Sequence, residues 1–328
     1  MKTGPLVYVT RNIPREALEI IASECRLTVN PYDRVLSKSE LAEAGRDVEG
    51  LLCLLTDNLD ADILEKMPRL KIIANCAVGY DNIDVEACTK RNVAVSNTPG
   101  VLTETTADLT WALLLAVARR VVEADCYVRE GKFKSWAPMM FLGHEINHRV
   151  LGIIGLGRIG LAVAERAAGF KMPVIYCNRE RINAEEEKAL GVEYRSLEDL
   201  LKEADFISLH VPLNENTRHL IGKEELELMK PGAYLINTSR GPVIDEKELV
   251  GALGNNELAG AALDVYEDEP QLSPGLAEMA NVVLAPHIGS ATVETRTRMA
   301  VMAAKNLLAG LRGDKIPNLV NRELENQQ

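Results

Sequence analysis

Residues 150–160 read VLGIIGLGRIG. An apolar, β-prone run ending at Ile154 meets Gly155-Leu156-Gly157-Arg158-Ile159-Gly160, and a helical pattern then runs from Arg158 to Phe170. A strand that ends in G-x-G-x-x-G and opens a helix gives each glycine a physical task. Gly155 permits the tight turn, Gly157 lets backbone approach a pyrophosphate, and Gly160 lets helix and strand pack closely. The helix N-terminus offers free N–H groups and a partial positive charge to phosphate, and Arg158 adds a mobile cation. A glycine-rich turn with no ligand is the bland alternative. The strand–loop–helix–strand setting favours dinucleotide binding.

The second strand of that unit, PVIYC, ends at Cys177. About 20 residues beyond the glycines, a dinucleotide-binding unit usually places an acidic residue on the ribose hydroxyls of NAD. Here stand Asn178, Arg179, Glu180 and Arg181. A carboxylate would repel a 2′-phosphate, and CNR removes that repulsion. Arg179 presents a planar fork suited to phosphate, and Asn178 can donate a hydrogen bond. The expectation is NADP(H) in preference, with NAD(H) possible. The alternative is a solvated surface arginine beside a helix that starts near Asn183.

Working outward, strands and helices alternate on both sides. Downstream, 192–194, 205–211, 233–239, 258–265 and 281–286 read as strands, 196–204 reads as a helix opened by Ser196 and Asp199, and Asp245 caps a helix through Leu253. A final helix spans about 291–311. Upstream, 6–9, 27–30, 50–55, 70–76 and 93–97 read as strands, with helices at 14–24 and 37–45. This alternation implies parallel sheets covered on both faces. The chain has 328 residues, too many for one ordinary core. The expected architecture is α/β, with two doubly wound parallel-sheet domains. A dinucleotide-binding domain, 101–286, interrupts a substrate domain formed by 1–100 plus 287–328.

Residues 103–125, TETTADLTWALLLAVARRVVEAD, read as one long helix, apolar around most of its surface from Leu109 to Val117. Such a helix must be covered on several sides, so a domain boundary and a subunit interface are both expected, and with them a homodimer. The net charge of −11 argues against a nucleic-acid partner. The strongest apolar run is far short of a membrane span, and MKTGPLVYVT enters a strand pattern at once with no secretory pattern. Six cysteines, at 25, 53, 76, 88, 126 and 177, include no CxxC pair. They read as small hydrophobes in a reducing cytoplasm, with no metal site.

Reduction of a polar carbonyl needs a proton donor, a cation for the developing oxyanion and a holder for a carboxylate. Of five histidines, His144 and His148 lie in a polar loop with a solvent-exposed reading, His210 reads as packed, and His219 lies in another polar loop. His287 differs, because it follows the last apolar strand and precedes Ile288-Gly289-Ser290. Arg240 follows the strand AYLINTS, and the acidic pair Asp268 and Glu269 follows LAGAALDV. Ligands gather beyond the carboxyl ends of strands in open α/β sheets, and these residues stand there. A carboxylate beside the ring favours imidazolium. His287 then protonates the carbonyl oxygen, and Arg240 binds the 2-oxo acid through carboxylate and carbonyl. Amides near Val78 and Gly79 in CAVGYDNID are placed to hold the other carboxylate oxygen. The residues alone leave open which acid faces the histidine.

GLGRIG, INTSRGPVIDE, ALDVYEDEP and LAPHIGSAT, in this order and spacing, resemble the D-isomer-specific 2-hydroxyacid dehydrogenases over nearly the whole chain. LLTDNLDADIL, AVGYDNID and FKSWAPMMFLGHEI resemble the glyoxylate/hydroxypyruvate reductase branch. The resemblance implies a Rossmann domain inserted into a flavodoxin-like substrate domain, a homodimer, and a catalytic trio of Arg240, Glu269 and His287. It implies coenzyme contacts at Val211, Pro212, Thr238, Ser239, Asp264 and Gly289, with Arg240 and His287 also beside the coenzyme, and a substrate contact at Leu55. The absent aspartate after the second strand resembles NADP-preferring members. The chain's length disfavours the long form of phosphoglycerate dehydrogenase, and Glu269 disfavours the formate dehydrogenases.

The function expected is reduction of glyoxylate and hydroxypyruvate. A reductase of bulkier 2-oxo acids is the near alternative, decided by the wall near Leu55, Trp136 and Met139. The role of Trp136 is open between enclosing substrate and plain packing. A non-enzymatic dinucleotide sensor resembling the C-terminal-binding corepressors is the distant alternative.

Overall fold

The computed structural model describes residues 4–327; residues 1–3 and 328 of the expected substrate domain lie outside the described residues. The chain divides into two units, one up to Leu102 and again from Ser290 onward, the other Thr103–Gly289. These divisions fall two or three residues from the expected ones and put His287 and Gly289 in the second unit.

The first unit follows the sequence in strict alternation. Its elements are β1 (Leu6–Val9), α1 (Arg15–Glu24), β2 (Arg26–Val29), α2 (Lys38–Gly45), β3 (Gly50–Cys53), α3 (Ala61–Glu65), β4 (Ile72–Asn75), α4 (Val85–Lys90) and β5 (Ala94–Ser96). The sheet is parallel with order β2-β1-β3-β4-β5, the flavodoxin-like order. β3, β4 and β5 are buried at every residue, as strands covered on both faces must be. The short helices α3 and α4 carry too few residues to show a 3.6 period, yet each opens on an aspartate cap, Asp60 and Asp84. Ser37 and Glu40 close a full capping box on α2.

The second unit holds α5 (Thr103–Ala118), α6 (Val121–Arg129), β6 (Leu151–Ile154), α7 (Arg158–Ala167), β7 (Val174–Cys177), α8 (Ala184–Leu190), β8 (Val192–Tyr194), α9 (Leu197–Glu203), β9 (Phe206–Leu209), α10 (Lys223–Leu228), β10 (Tyr234–Asn237), α11 (Glu246–Gly254), β11 (Gly260–Leu263) and β12 (Val282–Leu284). The sheet order is β12-β11-β10-β9-β6-β7-β8, all parallel. The winding reverses between β6 and β9, which is the topological switch point where such sheets bind ligands.

The last helix, α12 (Val293–Arg312), is capped by Thr292 and belongs to the first unit. Its Ala300, Ala303, Ala304, Leu307 and Leu308 share one core with Val7, Val9 and Ile72. A Cβ on Gly310 would stand 2.4 Å from Ile72 Cδ1, so glycine sets how near the helix lies to the sheet.

The expected single helix over 103–125 is two helices. Arg120 takes φ 52° and ψ 37°, a left-handed conformation, and splits α5 from α6. The His144 amide takes the Ala118 carbonyl at 2.9 Å, and Arg120 turns its guanidinium onto Glu123. The loop bond and the ion pair therefore replace the continuing helical ladder. The apolar face of α5 is also not left over for a boundary. Ala107, Trp111, Leu114, Val117 and Ala118 are buried in the unit's own core. Trp111 stacks on Phe170 at 4.5 Å and donates its ring N–H to the Val163 carbonyl at 3.0 Å, a pairing that contributes about 0.5–1.5 kcal/mol beyond area burial. The exposed apolar side chains lie further on, at Val121, Val122, Val128, Phe133, Trp136, Met139 and Leu142. No helix among the described residues is long and apolar enough to cross a membrane.

Candidate active site

Strands of the seven-stranded sheet deliver the expected residues to one edge, here in chain order. Gly155 follows β6, Asn178 β7, Val211 β9, Thr238 and Arg240 β10, Asp264 and Glu269 β11, and His287 β12.

At the β6 turn, Gly155 has φ +99°, and a Cβ there would stand 2.7 Å from the His210 carbonyl oxygen. A Cβ on Gly160 would stand 2.2 Å from the Gly155 carbonyl oxygen, so that glycine sets the helix–strand approach. Gly157 is different, since a Cβ there would meet nothing within 4 Å. No protein atom requires glycine at 157, and the open space lies at the N-cap of α7. Backbone amides with room above them fit a dinucleotide pyrophosphate. Leu156 donates its amide to Asn178 Oδ1 at 2.6 Å, which ties the glycine turn to the loop after β7. Among the described residues Asn178 Nδ2 donates no hydrogen bond. Arg179 is exposed and, among the described residues, has no hydrogen-bond or ion-pair partner.

Beyond β9, Val211 packs against the Gly155 turn, and the Pro212 carbonyl is taken by the Thr217 hydroxyl at 2.6 Å. His210 pairs with the Ser208 hydroxyl at 2.8 Å, and burial pulls its pKa down to about 3. It stays neutral through the physiological range, so it is not charged to act as a proton donor. His144 is exposed, in line with its reading, but it is not without a partner. Its Nδ1 meets the Tyr234 hydroxyl at 2.6 Å, a partner 90 residues away that no local pattern discloses.

Beyond β10, Asn237 shapes the turn. Its Oδ1 accepts from the Ser239 amide and hydroxyl, and its Nδ2 donates to the Arg240 carbonyl at 2.9 Å. This is the side-chain-to-backbone turn that Asn followed by small polar residues encodes, and it was the readable signal for Asn237. Thr238 is buried, with its hydroxyl 2.9 Å from that of Thr110. A Cβ on Gly241 would stand 1.8 Å from the Tyr266 carbonyl oxygen. The chain after Arg240 therefore lies directly on the chain that leads to Glu269.

Glu269 accepts from the Tyr266 amide at 3.1 Å and meets His287 Nδ1 at 2.9 Å. Burial pushes the Glu269 carboxyl up, but the His287 bond, the Tyr266 amide and the Arg240 charge outweigh it and hold it below the usual carboxylate range. It is ionised at neutral pH. Asp268 does not reach the histidine; its backbone pairs with Gln271. His287 has φ 53°, a strained value for a non-glycine residue. Its amide donates to the Asp264 carbonyl at 2.9 Å, and the next two amides, Ile288 and Gly289, donate to the Asp264 carboxylate at 2.7 and 2.8 Å. Tyr266 donates its hydroxyl to the Ala285 carbonyl at 2.8 Å. Tyr266 and the anchoring role of Asp264 escaped the sequence reading. With Nδ1 committed to a carboxylate, the ring presents Nε2 as the nitrogen that donates a proton.

In the first unit, the loop after β4 has its carbonyls spent and its amides unspent. Asn97 Nδ2 donates to the Val78 carbonyl and Asn75 Nδ2 to the Gly79 carbonyl, each at 2.8 Å. Among the described residues the Val78 and Gly79 amides donate no hydrogen bond. Leu55 is 36% exposed, Trp136 78% and Met139 76%, so no packing encloses either of the last two within the chain. A cleft of about 540 Å³ lined by Gly232, Ala259 and Asn281 lies at the opposite edge of the seven-stranded sheet, where strands begin, and carries none of these groups. No cluster of three metal-ligating side chains occurs among the described residues.

The chain is similar to known proteins over nearly its whole length. A family model described as the NAD-binding domain of D-isomer specific 2-hydroxyacid dehydrogenases matches residues 111–289. A glyoxylate reductase of Thermococcus litoralis is 52% identical over 98% of both chains. One of Korarchaeum cryptofilum is 54% identical over 98% of this chain and 97% of its own. The crystal structure of an NADPH-dependent glyoxylate/hydroxypyruvate reductase from Sinorhizobium meliloti, in complex with NADP and malonate, is 31% identical, covers 97% of each chain and superimposes with a TM-score of 0.85.

The geometry generates a direct expectation for Glu269→Gln. Loss of the ionised partner lowers kcat for 2-oxo acid reduction about 10²-fold and moves the alkaline limb of the kcat/KM pH profile to lower pH. A pH profile whose alkaline limb does not move would contradict the partnership.

Proposed function

The chain belongs to the D-isomer-specific 2-hydroxyacid dehydrogenase family, and from that premise we propose that it reduces glyoxylate and hydroxypyruvate to glycolate and D-glycerate, with NADPH preferred over NADH. The observation that carries the reading is the 2.9 Å contact between His287 and an ionised Glu269, on the strand edge that also bears the glycine turn. Both relatives cited above that carry curated names are glyoxylate reductases, and the Sinorhizobium enzyme was solved with NADP and a small dicarboxylate.

The roles follow from the chemistry of each group. Gly155, Leu156, Gly157, Arg158, Ile159 and Gly160 hold the pyrophosphate of the coenzyme, and Val211, Pro212, Thr238, Ser239, Asp264 and Gly289 line the remainder of its site. When bound, the coenzyme supplies a hydride to the carbonyl carbon. Arg240 binds the carboxylate and carbonyl oxygens and steadies the negative charge that develops on the latter. His287 gives its Nε2 proton to that oxygen, and Glu269 stabilises the ring while it is charged. In the first unit, the Val78 and Gly79 amides receive a carboxylate oxygen, and Leu55 bounds the substrate. Asn178 and Arg179 bind the 2′-phosphate; what supports this is that Arg179, among the described residues, is a cation without a partner at the position where a carboxylate would select NAD.

The exposed apolar side chains from Val121 to Leu142 support a homodimer. A second copy is the occupant we assign, since an isologous contact covers one such patch with another. Light scattering should give twice the chain mass, and Phe133→Ser with Trp136→Ser should give a monomer; a wild-type monomer at micromolar concentration would refute the assignment. The cysteines described are all free, which supports a cytoplasmic location.

The substrate and coenzyme are tested together by kcat/KM for glyoxylate, hydroxypyruvate, pyruvate and an aromatic 2-oxo acid, each with both reduced nucleotides. One of the first two should lead the panel with NADPH. Preference for the aromatic acid by about tenfold would favour the bulkier-substrate alternative. Arg179→Asp should cut the NADPH-to-NADH ratio of kcat/KM by about tenfold or more, and an unchanged ratio would defeat the 2′-phosphate role.

A further inference from the structure

The loop from Asn178 to Asn183 carries two arginines, and the structure treats them differently. Arg179 is exposed and without a partner among the described residues. Arg181 is 58% exposed but is held through two of its three guanidinium nitrogens. Its Nε and one terminal nitrogen reach the two carboxylate oxygens of Glu187 on α8, both at 2.7 Å, in a bidentate fork. Its guanidinium lies 5.5 Å above the centre of the Tyr194 ring on β8.

Glu187 is itself built in. Its side chain is 11% exposed, and Oε1 also accepts the hydroxyl of Tyr176, which is buried inside β7. The same Tyr176 oxygen accepts the Ile182 amide at 3.1 Å. The bond to Arg181, joined by that from Tyr176, holds the Glu187 carboxyl down at about 2 despite burial, and burial together with Glu187 lifts the Tyr176 phenol to about 12. The carboxylate is thus charged, the phenol neutral, and the loop is stitched at Ile182, Arg181 and Asn178, while Arg179 and Glu180 are exposed and without a partner among the described residues.

A bidentate fork satisfied by a carboxylate has little left for a phosphate. We propose that Glu187 is a specificity-determining positioning residue. It neutralises Arg181 and withholds it from the coenzyme, so that discrimination for a 2′-phosphate rests on Arg179 and is weaker than two arginines would make it. This rests on the 2′-phosphate reading of Arg179 given above. It assigns Arg181 to the scaffold, although the sequence presents both arginines at the same ribose-facing turn.

The test is the ratio of kcat/KM with NADPH to that with NADH in four proteins: wild type, Arg179→Gln, Glu187→Gln and Arg181→Gln/Glu187→Gln. Both nucleotides are measured on one preparation, so any unfolded fraction cancels from the ratio. Arg179→Gln lowers the ratio about tenfold or more, as one lost charge-assisted contact does. Glu187→Gln frees the Arg181 fork and raises the ratio about fivefold or more by the same arithmetic. The double variant stays near the wild-type ratio, because Arg181 contributes nothing to phosphate. A double variant that loses as much as Arg179→Gln makes Arg181 a phosphate ligand and overturns the proposal, as does a Glu187→Gln ratio equal to wild type. Should Glu187→Gln alone fail to accumulate, the double variant still decides between those outcomes. An unchanged ratio in Arg179→Gln instead overturns the underlying reading, whatever Glu187 does.

Discussion

One buried carboxylate holds the reactive edge of the seven-stranded sheet together. Asp264 is 1% exposed at the end of β11 and gathers the amides of Ile288 and Gly289, while its own carbonyl takes the amide of His287. Burial pushes its pKa up, and the two amides and the His287 charge pull the other way. A buried carboxylate left without such donors costs several kcal/mol, roughly the scale of the whole margin of stability. The reward for satisfying it here is geometric. His287 is held at φ 53°, a conformation that an unconstrained histidine avoids. In that conformation Nδ1 meets Glu269. The aim of the imidazole is therefore set by a neighbouring strand's main chain and not by its own preferences.

The same logic of close backbone contact runs along the edge. Gly241 lets the chain after Arg240 rest on the Tyr266 carbonyl, and Gly155 lets the first turn rest on that of His210. Each glycine joins loops from different strands, so the edge behaves as one surface. Gly157 stands apart, because the space above it belongs to no protein atom. Further along, the Asn178 bond to Leu156 links the glycine turn to the arginine-bearing loop.

Much of this was legible in the sequence, and the failures have identifiable causes. The glycine turn, the parallel alternation and helix α12 itself were readable, because strands buried on both faces leave continuous apolar runs and amphipathic helices leave a 3.6 period, whereas the return of α12 to the first unit left only a weak trace in the pattern. The split at Arg120 was not readable. Two consecutive arginines favour helix, and what breaks it is an amide from His144, 24 positions away. α3, α4 and α10 were too short for a period to show, although Asp60 and Asp84 are ordinary caps. The acid facing His287 was undecided between Asp268 and Glu269 from the residues alone, because the choice depends on how the chain turns after Tyr266. The Arg181–Glu187 fork joins a loop to a helix, and the Tyr176 phenol that supports it points inward from a strand that reads as purely apolar. No spacing rule discloses either.

The account stands on His287 as the group that hands a proton to the substrate carbonyl. The most direct measurement is turnover of glyoxylate by His287→Ala, taken together with the dissociation constant for NADPH followed by nucleotide fluorescence. The account predicts a loss of kcat of about 10³-fold or more with the nucleotide dissociation constant changed by less than about threefold. Retention of most of the turnover with nucleotide binding intact would contradict it.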